Sequence, residues 1–175
     1  MKKYLVVVFV LCIALAGVPA FSANVGDAVA NVTVRDAANN PKAIPDFGVK
    51  VLTIFYTDAD AADLQDPLAD ALKAKKFSEA KYRGQGVVNL KDSKMPNFLI
   101  RKVIQGKEKK YNTTILTDPS YLLKSAWGLG ECNDTATILV IGKDKKVKYL
   151  HKIKGAKIGA AEIAKVVGLV EALIK

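Results

Sequence analysis

The side chains in this chain that could do chemistry fall in three places. The first is Cys132. The chain has 2 cysteines and 1 histidine, and the other cysteine, Cys12, lies in an apolar amino-terminal run. If that run is removed, Cys132 has no partner for an internal disulfide. Cys132 and His151 alone cannot furnish a Cys/His metal cage. Cys132 is therefore the single catalytic candidate, as a lone thiol, and no residue is assigned a catalytic role outright. The second place is Asp58, Asp60, Asp63 and Asp66. Carboxylates bind calcium and magnesium, so Asp58, Asp60 and Asp63 are candidate metal ligands. Aspartates also favour the start of a helix, as caps and through the macrodipole. With no glycine-centred loop and no glutamate at a twelfth position, the helix-start reading is preferred and no metal is expected. The third place is Lys146, Lys148, Lys152 and Lys154, which alternate with Val147, Tyr149, His151 and Ile153. A strand with one basic face can dock on an anionic surface, or its lysines can protect a sheet edge from aggregation; edge protection is preferred.

The remaining candidates are weaker in kind. His151 has no serine or acidic partner at a recognisable spacing and reads as a packed histidine. Trp127 and Tyr121, on a short helix with Lys124, read as core. Asn31, Asn112 and Asn133 each open an Asn-x-Ser/Thr triplet, discounted because the amino terminus looks bacterial. No cofactor is expected.

That amino terminus reads as a cleavable secretory signal over residues 1–23. Lys2 and Lys3 precede an apolar run from Tyr4 to Ala16, too short for the about 20 residues that span a bilayer. Gly17 and Pro19 break it, and Ala20, Ser22 and Ala23 offer a cleavage site. Leu11 before Cys12 argues against a lipoprotein signal. Residues 24–175 then form one domain of about 150 residues, enough for a real core. The net charge is +10; without Lys2 and Lys3 it is +8. Export argues against nucleic acid, so an envelope protein or another anionic surface is the expected partner, in the periplasm or outside a bacterial cell. No later run is long enough to span a membrane.

The elements that must position these residues follow from periodicity. Val32 and Val34 mark a short strand before turns at Asn39-Asn40-Pro41 and Pro45. Val49 to Tyr56 is an apolar, β-branched run suited to a buried central strand. Leu64, Leu68 and Leu72 define a helix over Asp60 to Phe77, kinked at Pro67 or beginning its first turn there. Gly86 to Leu90 is a strand. Pro96 opens a helix expected to end at Gly106. Thr113 to Leu116 is a strand, and Tyr121 to Trp127 a short helix closed by Gly128. Ala136 to Ile141 and Val147 to Ile153 form a hairpin. Ile163, Val166, Val167, Val170 and Leu173 line one face of a final helix from Ala160 to Ile174. Alternating strands and helices with a late hairpin imply a mixed α/β sheet.

This order resembles the thioredoxin fold, in the branch of membrane-tethered thiol-disulfide proteins and peroxiredoxins. The likeness is carried by Val25-Gly26-Asp27, by the lead-in from Asp36 to Phe47, and by Leu52 to Tyr56 running toward the active site. It continues through Thr117-Asp118-Pro119 to Trp127-Gly128-Leu129 and the hairpin from Leu139 to Val147. It implies a thioredoxin-like mixed sheet flanked by helices, with an N-terminal strand extension. The branch's Cys-x-x-Cys pair falls on Asp60 and Asp63, or one register away on Ala59 and Ala62. Its cis-proline falls at Thr135 or Ala136. Both are missing, and thiol-disulfide exchange needs an attacking thiolate and a second thiol. Among families lacking them, the stretch from Cys132 through Val147 is most similar to the YtfJ family of small exported proteins. The resemblance implies a non-catalytic binding or envelope accessory protein. The alternative is a one-cysteine thiol enzyme, peroxidase-like or glutathione-handling, that uses Cys132.

Overall fold

The run Val51–Asp58 (β3) is buried at every position, which is why it is apolar and β-branched rather than alternating. The computed structural model describes residues 22–175; the signal expected over residues 1–23 lies almost wholly outside them. Around β3 stand Thr33–Arg35 (β1), Pro41–Ala43 (β2), Tyr82–Asn89 (β4), Ile115–Asp118 (β5), Thr135–Ile141 (β6) and Val147–Lys154 (β7). They form one 7-stranded sheet in the order β2-β1-β5-β4-β3-β6-β7. β3, β4 and β5 run parallel, and β6 and β7 close one side as an antiparallel hairpin.

Helices cover both faces. On one side Leu52, Ile54, Tyr56, Leu116, Leu139 and Ile141 pack against Leu123 and Trp127 of the segment around Leu122–Ala126 (α3). On the other, Val51, Phe55, Ile138 and Val140 meet Asp66–Ala74 (α1) and Ala160–Leu173 (α4). Val88 and Leu90 receive Ile100 and Ile104 of Asn97–Tyr111 (α2). Each such aliphatic side chain, fully buried, contributes about 1.5–3 kcal/mol.

Several elements differ from the expectations above; β4 begins at Tyr82 rather than Gly86, and β5 spans Ile115–Asp118 rather than Thr113 to Leu116. The helix expected from Asp60 begins at Asp66; Ala59–Ala61 is a separate 3-10 turn. Pro67 explains this, because it lacks the N–H that an interior position must donate and so belongs in the first turn. α2 runs through Gly106 and ends at Asn112, which adopts a left-handed conformation (φ 48°). A single glycine costs about 1 kcal/mol in a helix, too little to stop one that continues into Lys107-Glu108-Lys109. The turn at Pro41 is itself a strand, β2, paired with β1; proline is tolerated there because β2 is an edge. β7 carries a bulge opposite Val140 and Ile141, skipping Lys148. The extra residue sends Val147 into one core and Tyr149 into the other.

Candidate functional site

Asp58, Asn89 and Asp118 end three neighbouring parallel strands and pair laterally, Asp58 with Asn89 and Asn89 with Asp118. All three are fully buried. Carboxyl ends of parallel strands are where α/β sheets place their ligands. Here a row of polar side chains replaces the apolar residues that precede them.

Asp118 organises one end of the row. Its carboxylate accepts the backbone N–H of Leu122 (2.8 Å) and Leu123 (2.9 Å), capping α3, and the Tyr56 hydroxyl at 3.2 Å. Burial pushes the Tyr56 phenol far above its ordinary value, and the Asp118 charge adds to the effect. Next, Asp92 accepts from both the Asn89 amide and the Tyr121 hydroxyl. That hydrogen bond is the main reason the Tyr121 phenol is pushed up to about 12. Tyr121 is thus a half-buried member of a polar network rather than core, and Lys124 lies 4.0 Å above its ring. Trp127 is core, with its indole N–H donating to Ala30 O at 2.8 Å.

At the other end, Asp58 accepts the N–H of Asp60 (3.2 Å) and of Asp134 (2.8 Å). Burial raises its carboxyl above the usual range. These two N–H groups counteract the rise, and the charges of Asp60 and Asp92 reinforce it. Carboxylate oxygens of Asp58, Asp60 and Asp134 lie within 4.8 Å of one another. Asp63, named with Asp58 and Asp60 from the sequence, points elsewhere and pairs with Lys157 at 3.6 Å.

Cys132 sits in the connection from α3 to β6. A Schellman turn directs the chain there: Leu129 N donates to Lys124 O and Gly128 N to Ser125 O, with Gly128 at φ 56°. Glu131 then accepts from the N–H groups of Cys132 and Asn133. The thiol is fully buried beside Leu129. Burial pushes it up, and Lys152 and Lys124 only partly offset that, so it is protonated at neutral pH and shielded from solvent. Lys152 reaches over this loop and donates to Leu129 O (2.7 Å) and Glu131 O, and Lys148 pairs with Asp144 at 2.6 Å. The basic stripe of β7 is thereby divided; Lys146, Lys152 and Lys154 are exposed, and of these Lys152 is engaged with the loop carbonyls. His151 is half-buried beside Tyr149, ring centroids 6.1 Å apart.

The sequence reading missed Tyr56, Asn89, Asp92 and Asp134. A usable signal was present for Asn89: a polar residue at the close of an apolar strand is out of place unless it serves a site.

A helix-covered sheet with parallel centre and antiparallel hairpin, its polar site at the strand ends, defines the thioredoxin-like class. Solved structures share it, among them the following three. The thioredoxin domain of a thiol-disulfide oxidoreductase from Bacteroides vulgatus matches with TM-score 0.61 at 14% identity, over 88% of this chain and 100% of that one. The exposed lipoprotein thioredoxin of Streptococcus pneumoniae matches with TM-score 0.60 at 17% identity, over 82% and 100%. A peroxiredoxin-like protein of Aquifex aeolicus matches with TM-score 0.58 at 18% identity, over 87% and 89%. Within that class the chain belongs to the YtfJ_HI0045 family, described as bacterial protein of unknown function, whose family model matches residues 46–173. A Haemophilus influenzae relative described as an uncharacterized protein is 29% identical over 145 residues, 81% of this chain and 76% of its own length.

Proposed function

We propose that this protein is an exported, redox-inactive thioredoxin-fold protein that works by binding, as an accessory of the bacterial envelope. The observation that supports this reading best is the replacement at the strand end. Where thiol-disulfide proteins present a reactive pair after the central strand, this chain presents Asp58-Ala59-Asp60-Ala61-Ala62-Asp63. Its free cysteine, Cys132, is buried in the adjoining loop. Disulfide exchange needs an attacking thiolate, and the carboxyl groups of Asp58, Asp60 and Asp63 are not nucleophiles toward sulfur. Lys146 and Lys154 and the basic net charge favour an acidic or anionic partner.

Insulin reduction by dithiothreitol should show no acceleration above buffer, and a scrambled disulfide protein should not be refolded. Turnover in either assay that disappears in Cys132→Ser would overturn the reading in favour of a one-cysteine thiol enzyme. For export, intact mass of the protein from its host's envelope should place the first residue between Phe21 and Val25. A mass retaining Met1 to Ala20 would refute the leader. Ala23 is buried, and its N–H donates to Trp127 O, which favours a cut that keeps it.

A further inference from the structure

We propose that Asp58, Asp60 and Asp134, together with the hydroxyl of Thr135, form a binding site for one calcium ion. Asp58 and Asp60 flank the end of β3, and Asp134 arrives from the loop before β6, 76 positions later. The two backbone donors on Asp58 take one oxygen each. They aim the carboxylate and leave a lone pair free on both oxygens.

Thr135 supplies an independent observation. It is 3% exposed, and its hydroxyl has no hydrogen-bond partner among the described residues. A buried hydroxyl without a partner costs about 1–3 kcal/mol. The strand register shows where it faces. Tyr56 lies opposite Thr137 and Thr57 opposite Ala136. Alternation therefore puts Thr135 opposite Asp58, on the same face of the sheet. Directly opposed side chains stand about 4.5–5.5 Å apart at Cβ, so the unpartnered hydroxyl adjoins the carboxylate cluster.

Charge points the same way. Lys and Arg number 27 against 17 acidic residues, yet among the described residues no lysine or arginine forms an ion pair with Asp58, Asp60, Asp92 or Asp134. The donors are all oxygen, the set for a hard cation. Calcium–oxygen distances of about 2.3–2.6 Å let one ion join ligands up to about 5 Å apart. The 4.8 Å limit of the three carboxylates falls within that reach. Asp60 and Asp134 are exposed, so an ion has a path in and water can complete its shell.

The test is calorimetric titration of the EDTA-treated protein with calcium chloride, with thermal unfolding read in parallel. One ion should bind per chain, with a dissociation constant in the range of extracellular sites, about 10⁻⁴–10⁻³ M, and the unfolding midpoint should rise. Asp60→Asn and Asp134→Asn, at exposed positions, should each weaken binding about tenfold or more, and Thr135→Val several-fold. Asp58→Asn should abolish it. Asp63→Asn, close in sequence but paired with Lys157, should leave it unchanged, and magnesium should bind more weakly. Absence of heat and of a midpoint shift at about 10 mM calcium would overturn the proposal. So would equal losses in Asp63→Asn and Asp134→Asn, or equal affinity for magnesium.

Discussion

Replacing Asp118 by alanine should be among the most damaging single changes outside the apolar core. Its carboxylate accepts the N–H of Leu122 and Leu123 at 2.8 and 2.9 Å, and more distantly those of Ser120 (3.3 Å) and Lys124 (3.5 Å). α3 has no other side-chain cap, since Tyr121 at its start bonds to no N–H of the helix. Loss of a cap costs about 0.5–2 kcal/mol. The alanine also strands the buried Tyr56 hydroxyl, at about 1–3 kcal/mol. Together these predict a loss of about 1.5–5 kcal/mol, a large share of a typical domain's stability. Tyr56→Phe alone removes one hydrogen bond and leaves Asp118 its backbone donors, a loss of about 0.5–1.5 kcal/mol. In the Asp118→Ala background the same tyrosine change removes an orphaned hydroxyl, and should be neutral or stabilising. Urea unfolding of the four proteins of this cycle gives the coupling directly. An Asp118→Ala loss below about 1 kcal/mol, or additive single changes, would refute the account of Asp118 as both cap and acceptor.

Three further outcomes are expected. Lys152→Met frees the loop that covers Cys132. With the exposed lysine's bonds discounted for solvent to about 1.4 kcal/mol, a thiol reagent should modify the native protein about tenfold faster; an unchanged rate would show that Lys152 does not hold the loop. Gly106→Ala should raise stability by about 0.5–1 kcal/mol in the same unfolding assay, because an added Cβ there meets no atom within 4 Å. The third concerns pH. The Tyr149 hydroxyl donates to Glu162 and is the main reason that carboxyl lies below its ordinary 4.5. A depressed acid stabilises the fold above its unfolded value and stops doing so as pH falls through its folded value. The stability gap between wild type and Tyr149→Phe should therefore stay level from neutral pH to about 4.5 and close below it. A gap that widens in acid would reverse the assignment.

The parts of this fold legible in the chain are those whose burial is repeated along an element. β3 and β6 are buried throughout and mostly apolar, and α4 repeats Ile163, Val166, Val167 and Val170 on one face, so pattern alone places them. β2 has three exposed residues, one of them a proline, and exists only because β1 lies beside it; nothing local announces it. The span before Pro67 carries helical residues and an aspartate-rich start, but the missing N–H outweighs those preferences. The acidic site was half legible. Asp58 and Asp60 are neighbours in sequence, whereas Asp134 joins them through the meeting of β3 and β6. Asp63, three positions beyond Asp60, turns toward Lys157 instead.

The segment just after the expected leader has a bearing on how the chain reaches its final state. Gly26 N donates to Val147 O, Val147 N to Asp27 O, and Val29 N to Lys145 O. Ala28 bridges Lys146. Residues 26–29, made early in synthesis, thus pair with the turn and first residue of the last hairpin, some 120 positions downstream. Contacts so far apart form late and slow folding, and until the hairpin emerges this stretch has nothing to pair with. A chain built this way stays open at its leading end for most of its synthesis, the condition in which a polypeptide can still be threaded through a narrow channel.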